Sequence, residues 1–369
     1  VPQFDELSAI TQFELYPRAL RDLVFKGAPF WAYLRKQGAQ PFAGGNGMRS
    51  SFLYGVMNGG FYSQGENFNL LKNPVLAATQ FKPRYIYVAI PEYKEILQVE
   101  NTGPLALISL LDADMRAAVN TINAMLAIAI WREGQSAARI KAINGLSECF
   151  NNGTDPSWDG TIATTYGGET RSAVNGVLNS APMWLGDSAG NAGSIQYHHL
   201  LESHQDASRG PDEPKLGVVN KAGFAYCLER MQTQQRFMEN LERDPIWGAT
   251  GFRFMSARII KDEYAPSLVY GENHPILGSN LTGTFTTPAS PTAKSLLPGA
   301  TLVTVGEVFA WINPEAFTLR ISTDEEFAFG FSGFIPSQRN TRVVGHIKAG
   351  LNVQGHAPHL GKFLYGFSS

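Results

Sequence analysis

Gly186-Asp187-Ser188-Ala189-Gly190 fits G-x-S-x-G, the pattern in which a serine on a sharp strand-to-helix turn becomes a nucleophile beside an acid-oriented histidine. That chemistry needs a strand before the turn, a helix after it and an oxyanion loop upstream. The run Asn179-Ser180-Ala181-Pro182-Met183-Trp184-Leu185 is a poor strand, because Pro182 cannot donate to a ladder. Asn191-Ala192-Gly193 is a poor helix start, and no His-Gly-Gly stretch precedes the serine. His198, His199, Glu202 and His204 crowd a second segment. Side chains three or four apart on a helix share a face and can share a metal. His198 and Glu202 meet that spacing, but His204 lies five beyond His199 and six beyond His198, and H-E-x-x-H is absent. The spacing favours a polar helix face.

The remaining candidates are weaker. Gly45-Asn46-Gly47-Met48-Arg49-Ser50 is glycine-rich but lacks the G-K-[ST] of a phosphate cradle and leads into a strand pattern. Asp262 with Glu263, and Asp324 with Glu325 and Glu326, juxtapose carboxylates as acid–base pairs do. Each set lies beside turn residues and is expected to be solvated loop charge. Cys149 and Cys227 are too few for a disulfide framework or a four-sulfur zinc site, and are expected as small buried hydrophobes. No catalytic, metal or cofactor site is expected, and the chain is not expected to be an enzyme.

What must position these residues is a chain of 369 residues, ample for a large core. Lys plus Arg number 30 and Asp plus Glu 32, a formal net charge of −2. That balance excludes a strongly basic nucleic-acid binder whose affinity rests on phosphate neutralisation. Only 17% of residues are charged, against roughly 25% in ordinary soluble domains. A surface covered by partner subunits is consistent with that shortage. Asp5, Glu6, Glu14 and Asp22 interrupt any apolar core of a signal peptide, and a first residue of Val rather than Met implies trimming by at least one residue.

Along the chain, 5–37 reads as one or two short helices, followed by Gly44-Gly45-Asn46-Gly47 as a hinge. From 48 to 98 aromatics and turn signals alternate, predicting a long antiparallel hairpin with arms near 48–58 and 79–90. Pro104 opens a helix that Gly134 ends. In it Leu105, Ile108, Leu111, Met115, Ala118, Ile122, Met125 and Ala129 make one apolar stripe. Asp112, Asp114 and Arg116 lie mostly off that stripe, and their charge rules out a membrane span. Helices are predicted at 194–207 and 222–242, with strands at 214–220 and 252–260 and a loop at 281–299. Further strands are predicted at 302–311 and 316–322. From Val343 to Gln354, alternation of period two marks a long half-buried strand.

This order of elements resembles the major capsid protein of tailed bacteriophages, the Hong Kong 97-type capsid fold. Pro29-Phe30-Trp31-Ala32-Tyr33-Leu34 looks like that family's short helix before the hinge. Ile143-Asn144-Gly145-Leu146 looks like its I-x-G-L after the spine helix. Tyr166-Gly167-Gly168-Glu169-Thr170-Arg171-Ser172 with Trp184 is similar to its Gly-Gly-x-x-Arg-Ser…Trp run, from which Glu169 and the long gap to Trp184 depart. Lys221-Ala222-Gly223-Phe224, Gln235-Arg236, Gly251-Phe252 and the run from Asp262 to Ser267 follow its axial domain. Gly350-Leu351-Asn352-Val353 and the run from Gly361 to Gly366 look like its closing strand and return. The Gly-Asp-Ser-Ala-Gly wording separately resembles hormone-sensitive lipases, the enzyme alternative.

The resemblance implies an α+β fold with these parts: N-terminal arm 1–47, extended-hairpin E-loop and its base 48–98, and peripheral-domain spine helix 99–139. An axial domain 140–300, peripheral strands 301–358 and a C-terminal return 359–369 complete it. It implies a virion protein assembled in the host cytoplasm. Hexameric and pentameric capsomers would form an icosahedral shell around double-stranded DNA, without sequence-specific contact and without a membrane. Portal, scaffolding and decoration proteins are implied partners, the scaffold removed from this chain or separate. Phe61, Tyr62, Phe68, Leu70 and Leu71 of the E-loop are expected at intersubunit contacts. Some members cross-link an E-loop lysine to an asparagine, for which Lys72 and Asn352 are the candidates. An encapsulin-like nanocompartment shell shares the fold and would hold protein cargo.

Overall fold

The computed structural model describes residues 29–93, 104–134, 141–171, 187–190, 195–232, 242–243, 250–265, 307–336 and 342–367, apart from short interruptions within these ranges. In chain order these form helix α1 (Pro29–Gly38), strands β1 (Gln40–Phe42), β2 (Met48–Leu53), β3 (Leu76–Phe81) and β4 (Arg84–Tyr93), and helices α2 (Pro104–Ala129) and α3 (Leu146–Cys149). Strands β5 (Thr165–Tyr166), β6 (Glu169–Thr170) and β7 (Asp187–Gly190), helix α4 (Tyr197–Asp206), strand β8 (Leu216–Val219) and helix α5 (Lys221–Gln232) follow. Then come β9 (Glu242–Arg243), β10 (Thr250–Phe254), β11 (Ala257–Lys261), β12 (Glu307–Ile312), β13 (Phe317–Ser322), β14 (Ala328–Pro336), β15 (Arg342–Gly355) and β16 (Lys362–Phe367). The expected helix before Pro29, the loop at 281–299 and Trp184 lie outside the described residues.

Helix α2 starts at Pro104, where a missing N–H costs nothing. Its stripe residues Met115, Ala118, Ile122, Met125 and Ala129 are buried, while Arg116 and Asn120 are exposed. The single-stripe expectation fails further on: every residue from Ile122 to Ala127 is buried, Asn123 included. The reason is that the chain folds back over the end of the helix. Leu146 N–H donates to Ile130 O at 2.7 Å. Gly145 passes so close that a Cβ there would lie 2.0 Å from Arg132 O, so only glycine fits. Phe30 of α1 meets Trp131 at a ring distance of 5.1 Å.

The long strand β15 organises one sheet. Leu351 pairs with both Arg84 and Ile321, which places β4 on one edge and β13 on the other. β14 continues along the β13 edge, and β1 adds to β13 in parallel. Val343, Gly345, Ile347, Ala349, Leu351 and Val353 are buried as the alternation predicts. Beyond Ala349 both faces are buried, so Asn352 and Gln354 are enclosed rather than solvated.

The second sheet has the order β7-β16-β12-β8-β11-β10-β9 and acts as a wall between two apolar cores. Alternate residues of β12 serve opposite sides: Val308, Ala310 and Ile312 join the larger core with α2 and β15. Phe309 and Trp311 join the smaller one with Leu200 of α4, Cys227 of α5, Phe252 and Phe254. Gly217 has no side chain because Ile259, Phe309 and Trp311 fill that space, a Cβ there lying 2.9 Å from Ile259.

Several expectations need correction. The second hairpin arm is β3, not 79–90, because Lys82-Pro83 breaks the strand and β4 leaves to pair with β15. The single strand at 252–260 is instead the hairpin β10–β11, turned at Met255, whose φ of 50° is the left-handed value such tight turns require. Glu242, expected to end a helix, lies in β9. A boundary at 300 would separate β12 from β8, its neighbour through Ile312 and Leu216. A return at 359–369 would detach β16, which pairs with β12 along Trp311 to Lys362.

Ala118→Asp places an unpaired carboxylate in the α2 core and is expected to cost several kcal/mol, on the order of 3 or more. Asn120→Asp, on the exposed face, is expected to change stability by less than about 0.5 kcal/mol. Urea unfolding of the two variants checks this, and equal midpoints would contradict the helix orientation.

Candidate functional site

Strands β2 and β3 pair from Met48 opposite Phe81 to Leu53 opposite Leu76. Period-two geometry gives the hairpin two unlike faces. Phe52, Tyr54, Ala77, Phe81 and Met48 pack toward the larger core. Leu53 and Leu76, directly opposite each other, face solvent. Beyond them Tyr54 N–H donates to Val75 O at 3.0 Å, and Asn73 Nδ2 donates to Asn58 Oδ1 at 2.8 Å, holding the two arms together. A turn closes the tip. Ser63 N–H donates to the Glu66 carboxylate at 2.6 Å, and Gly65 has a φ of 90°.

On this scaffold all five residues expected at intersubunit contacts are exposed, from Phe68 at 64% to Phe61 at 109%. Tyr62 and Phe68 stack edge to face at 5.0 Å, and Leu70 and Leu71 stand near them in sequence. Leu53, Met57 and Leu76 extend the apolar surface toward the base, and Tyr85 and Tyr87 of β4 are also exposed. Leu53 was legible from its phase: it alternates with inward Phe52. Each such side chain would gain about 1.5–3 kcal/mol if fully buried.

The base of the hairpin is gripped from two sides. The β5–β6 turn presents Gly167, whose carbonyl accepts from Gln80 N–H at 2.7 Å. Gly167 has a φ of 60°, and a Cβ there would lie 2.8 Å from the Phe81 ring. Phe81 packs edge-on against Tyr166 at 5.0 Å. On the other side Ser50 Oγ hydrogen-bonds His356 Nδ1 at 3.2 Å.

Beneath the base lies a buried polar cluster. The Glu148 carboxylate accepts from Asn144 Nδ2 at 2.9 and 3.0 Å and from Gly134 N–H at 3.2 Å. Asn144 and Asn352 exchange hydrogen bonds: Asn352 Oδ1 accepts from Asn144 N–H at 2.9 Å, and Asn352 Nδ2 donates to Asn144 Oδ1 at 2.8 Å. Asn352 Nδ2 also donates to Lys82 O at 2.7 Å, just after β3. Arg171 donates to the carbonyls of Ala163 at 2.8 Å, Cys149 at 3.2 Å and Glu148. Its guanidinium lies over the Tyr166 ring, whose hydroxyl accepts from Gly355 N–H at 3.0 Å. Burial pushes the Cys149 thiol up to about 12, so it is an inert thiol there, and Cys227 behaves likewise.

The other candidates disperse. Ser188 sits within β7, paired in parallel with Phe363 of β16, so its backbone is extended strand and not a nucleophile elbow. The histidines divide their tasks: His199 Nδ1 accepts from Gln196 N–H at 3.3 Å at the start of α4, and His198 stacks on His199. His204 is wholly buried, perpendicular to Trp311 at 5.1 Å, with Nε2 bonded to Ser256 Oγ at 3.1 Å. It belongs to a core and not to a polar face. Among the described residues no three or more His, Cys, Asp or Glu side chains are grouped to hold a metal ion, and no helix is long and apolar enough to cross a membrane.

Asp262 is not solvated loop charge. It is buried, accepting Phe30 N–H at 3.1 Å at the start of α1 and Tyr264 N–H at 2.9 Å. Asp324 is exposed as expected, and Glu263, Glu325 and Glu326 lie outside the described residues. Lys72 is exposed, whereas Asn352 is enclosed in the buried cluster with Asn144.

No protein-family model matches the sequence, and no curated protein matches it. Solved structures do. The capsid of the empty GTA particle is similar at a TM-score of 0.52 and 9% identity, over 91% of this chain and 90% of that one. The capsid of the native GTA particle is similar at 0.50, with 9% identity and coverage of 91% and 90%. The holo-SrpI encapsulin complex from Synechococcus elongatus PCC 7942 matches at 0.49 and 10% identity, over 91% of this chain and 87% of that chain. At these identities the likeness concerns the fold.

Arg171→Ala strips donors from three buried carbonyls and is expected to destabilise by about 3 kcal/mol or more. Arg171→Lys keeps the charge without the planar fork and should recover only part of the loss. Thermal unfolding of both variants provides the measurement. Any short-chain ester turnover is expected to be identical in wild type and Ser188→Ala, and its disappearance in the variant would restore the serine as a nucleophile.

Proposed function

From the capsid fold, shared over 91% of its length with the GTA shells, we propose that this chain is the major capsid protein of a tailed bacteriophage. In this role it assembles into hexamers and pentamers of an icosahedral head around double-stranded DNA. The observation that carries the proposal is the hairpin at 48–81: its base is packed on the subunit's own core, while its tip offers Phe61, Tyr62, Phe68, Leu70 and Leu71 to solvent. A free subunit gains nothing from such a projection, and a neighbour that covers it gains the full burial energy.

In the Hong Kong 97-type arrangement, residues 1–47 are the N-terminal arm, 48–98 the E-loop with its base, and 99–139 carry the spine helix α2. The axial domain is centred on the seven-stranded sheet and therefore takes in β12 and β16 along with residues from 140–300. The sheet around β15 is the peripheral domain's. The role is structural and not enzymatic, carried out in the virion after assembly in the host cytoplasm. Scaffolding, portal and decoration proteins are the heterologous partners. DNA lies within the shell without sequence-specific contact, in keeping with a net charge of −2.

Electron microscopy of the purified protein is expected to show shells or capsomers, with nuclease-protected DNA in filled heads. Shells loaded with protein instead would make it a nanocompartment, and a persistent monomer would overturn both assignments. Limited proteolysis with mass mapping should cut the free subunit rapidly between Met57 and Lys72 and spare those bonds in shells. Shortening the hairpin between Gln64 and Leu76 should leave the subunit folded but prevent closed shells, and equal protection in both states would remove the hairpin from the interface.

A further inference from the structure

His356 is one of the side chains through which the hairpin meets the β15 sheet. It follows the end of β15, and its two ring nitrogens hold hydroxyls from elements far apart in sequence. Nδ1 bonds Ser50 Oγ of β2 at 3.2 Å, and Nε2 bonds Thr318 Oγ1 of β13 at 2.9 Å. The backbone at this point is fixed, since His356 N–H donates to Ala316 O at 2.7 Å. The ring is therefore a rigid bridge between a seated turn and a hairpin strand. On the other side of β2, Gly44 and Gly45, with φ values of 108° and 112°, supply a swivel ahead of the strand.

We propose that His356 is a proton-sensitive latch that ties β2 to the β15 sheet while its ring is neutral and weakens that tie when the ring is protonated. Both hydroxyls can accept from an imidazolium, so the hydrogen bonds alone do not decide the matter. The surroundings do. The Arg320 guanidinium, two residues along β13 from Thr318 and held by Gln354 Oε1 at 3.2 Å, opposes a positive charge on the ring. Beside the preceding Gly355 stand the Tyr166 hydroxyl and the Cys149 thiol, which burial keeps protonated and neutral. A second cation in this half-buried site is disfavoured by burial first and by Arg320 second, and both lower the proton affinity of the latched ring below that of a free histidine. Because the latched state holds the proton less tightly than the released one, the latch is fully closed above the ordinary histidine range, about 6.5, and loses stability as pH falls below it. Release moves the ring to water and parts Ser50 from Thr318. This device operates in the free subunit and does not depend on the capsid assignment.

Hydrogen exchange of the full chain at pH 7.5 and pH 5.5, expressed as protection factors, tests it. The β2 and β3 amides near Ser50 should lose protection by up to about tenfold per pH unit below about 6.5, while those of β12 and β16 stay constant. In His356→Gln the hairpin protection should be the same at both pH values. Ser50→Ala, which removes the hairpin's end of the bridge without touching the core, should show reduced protection at pH 7.5 and a blunted response, and it decides the question should His356→Gln fail to fold. His346→Gln, on the Tyr87 side of the sheet, should retain the wild-type response. Protection that is pH-independent in the wild type, or that falls equally in His356→Gln or Ser50→Ala, overturns the proposal.

Discussion

The Glu148 carboxylate of α3, buried against the turn that follows α2, is the constraint on which the rest of the fold depends. A carboxylate removed from water must be supplied with donors or it will not stay charged. Here the donors come from Asn144 and Gly134, and Asn144 is in turn held by Asn352. Asn352 reaches the carbonyl of Lys82, and Arg171 closes the cluster through the carbonyls of Ala163 and Cys149. Segments separated by up to 270 residues therefore meet at one site. None of them can shift alone without leaving a buried polar group unsatisfied. This is what lets a hairpin with an exposed apolar tip keep a defined exit direction from the body.

The two-sided sheet solves a different problem. A mixed fold of this size must bury helices on both faces of its strands, and the alternation of Val308, Phe309, Ala310 and Trp311 divides one strand between two cores. On the smaller side, His204 and Trp311 are polar-tipped rings in an apolar setting, each anchored by a serine: Ser256 and Ser203. Those serines carry the hydrogen bonds that the surrounding Phe252 and Phe254 cannot. The result is a sheet whose two faces are fixed independently of each other.

Much of this was legible in the sequence where a single physical signal dominated. Pro104 and the apolar spacing after it gave α2, and the alternation from Val343 gave β15. The density of rings between Phe52 and Phe68 marked the projecting hairpin. What escaped was set by tertiary context. Strand β14 has bulges at Phe329 and before Phe334, with Phe329 at a φ of 62°, and these erase the period of two. The polar residues Asn352, Gln354 and Asp262 look like surface positions because nothing local records the partners that bury them. Gly186-Asp187-Ser188-Ala189-Gly190 met a chemical pattern, yet its backbone was claimed by pairing with Lys362 and its neighbours, residues too distant for any local motif to register.

That pairing has a consequence for how the protein is made. Strand β16 is synthesised after every other described element, yet it lies inside its sheet, between β7 and β12. Until β16 leaves the ribosome, β12 lacks one neighbour and β7 lacks its only one among the described strands. Phe363 then completes a ring stack with Phe150 and Trp131 at the end of α2. The last strand thus acts as a keystone, and a nascent or shortened chain without it exposes an open sheet edge in place of a finished body. Timing is written into the topology: the sheet is complete only once the chain has been read through to β16.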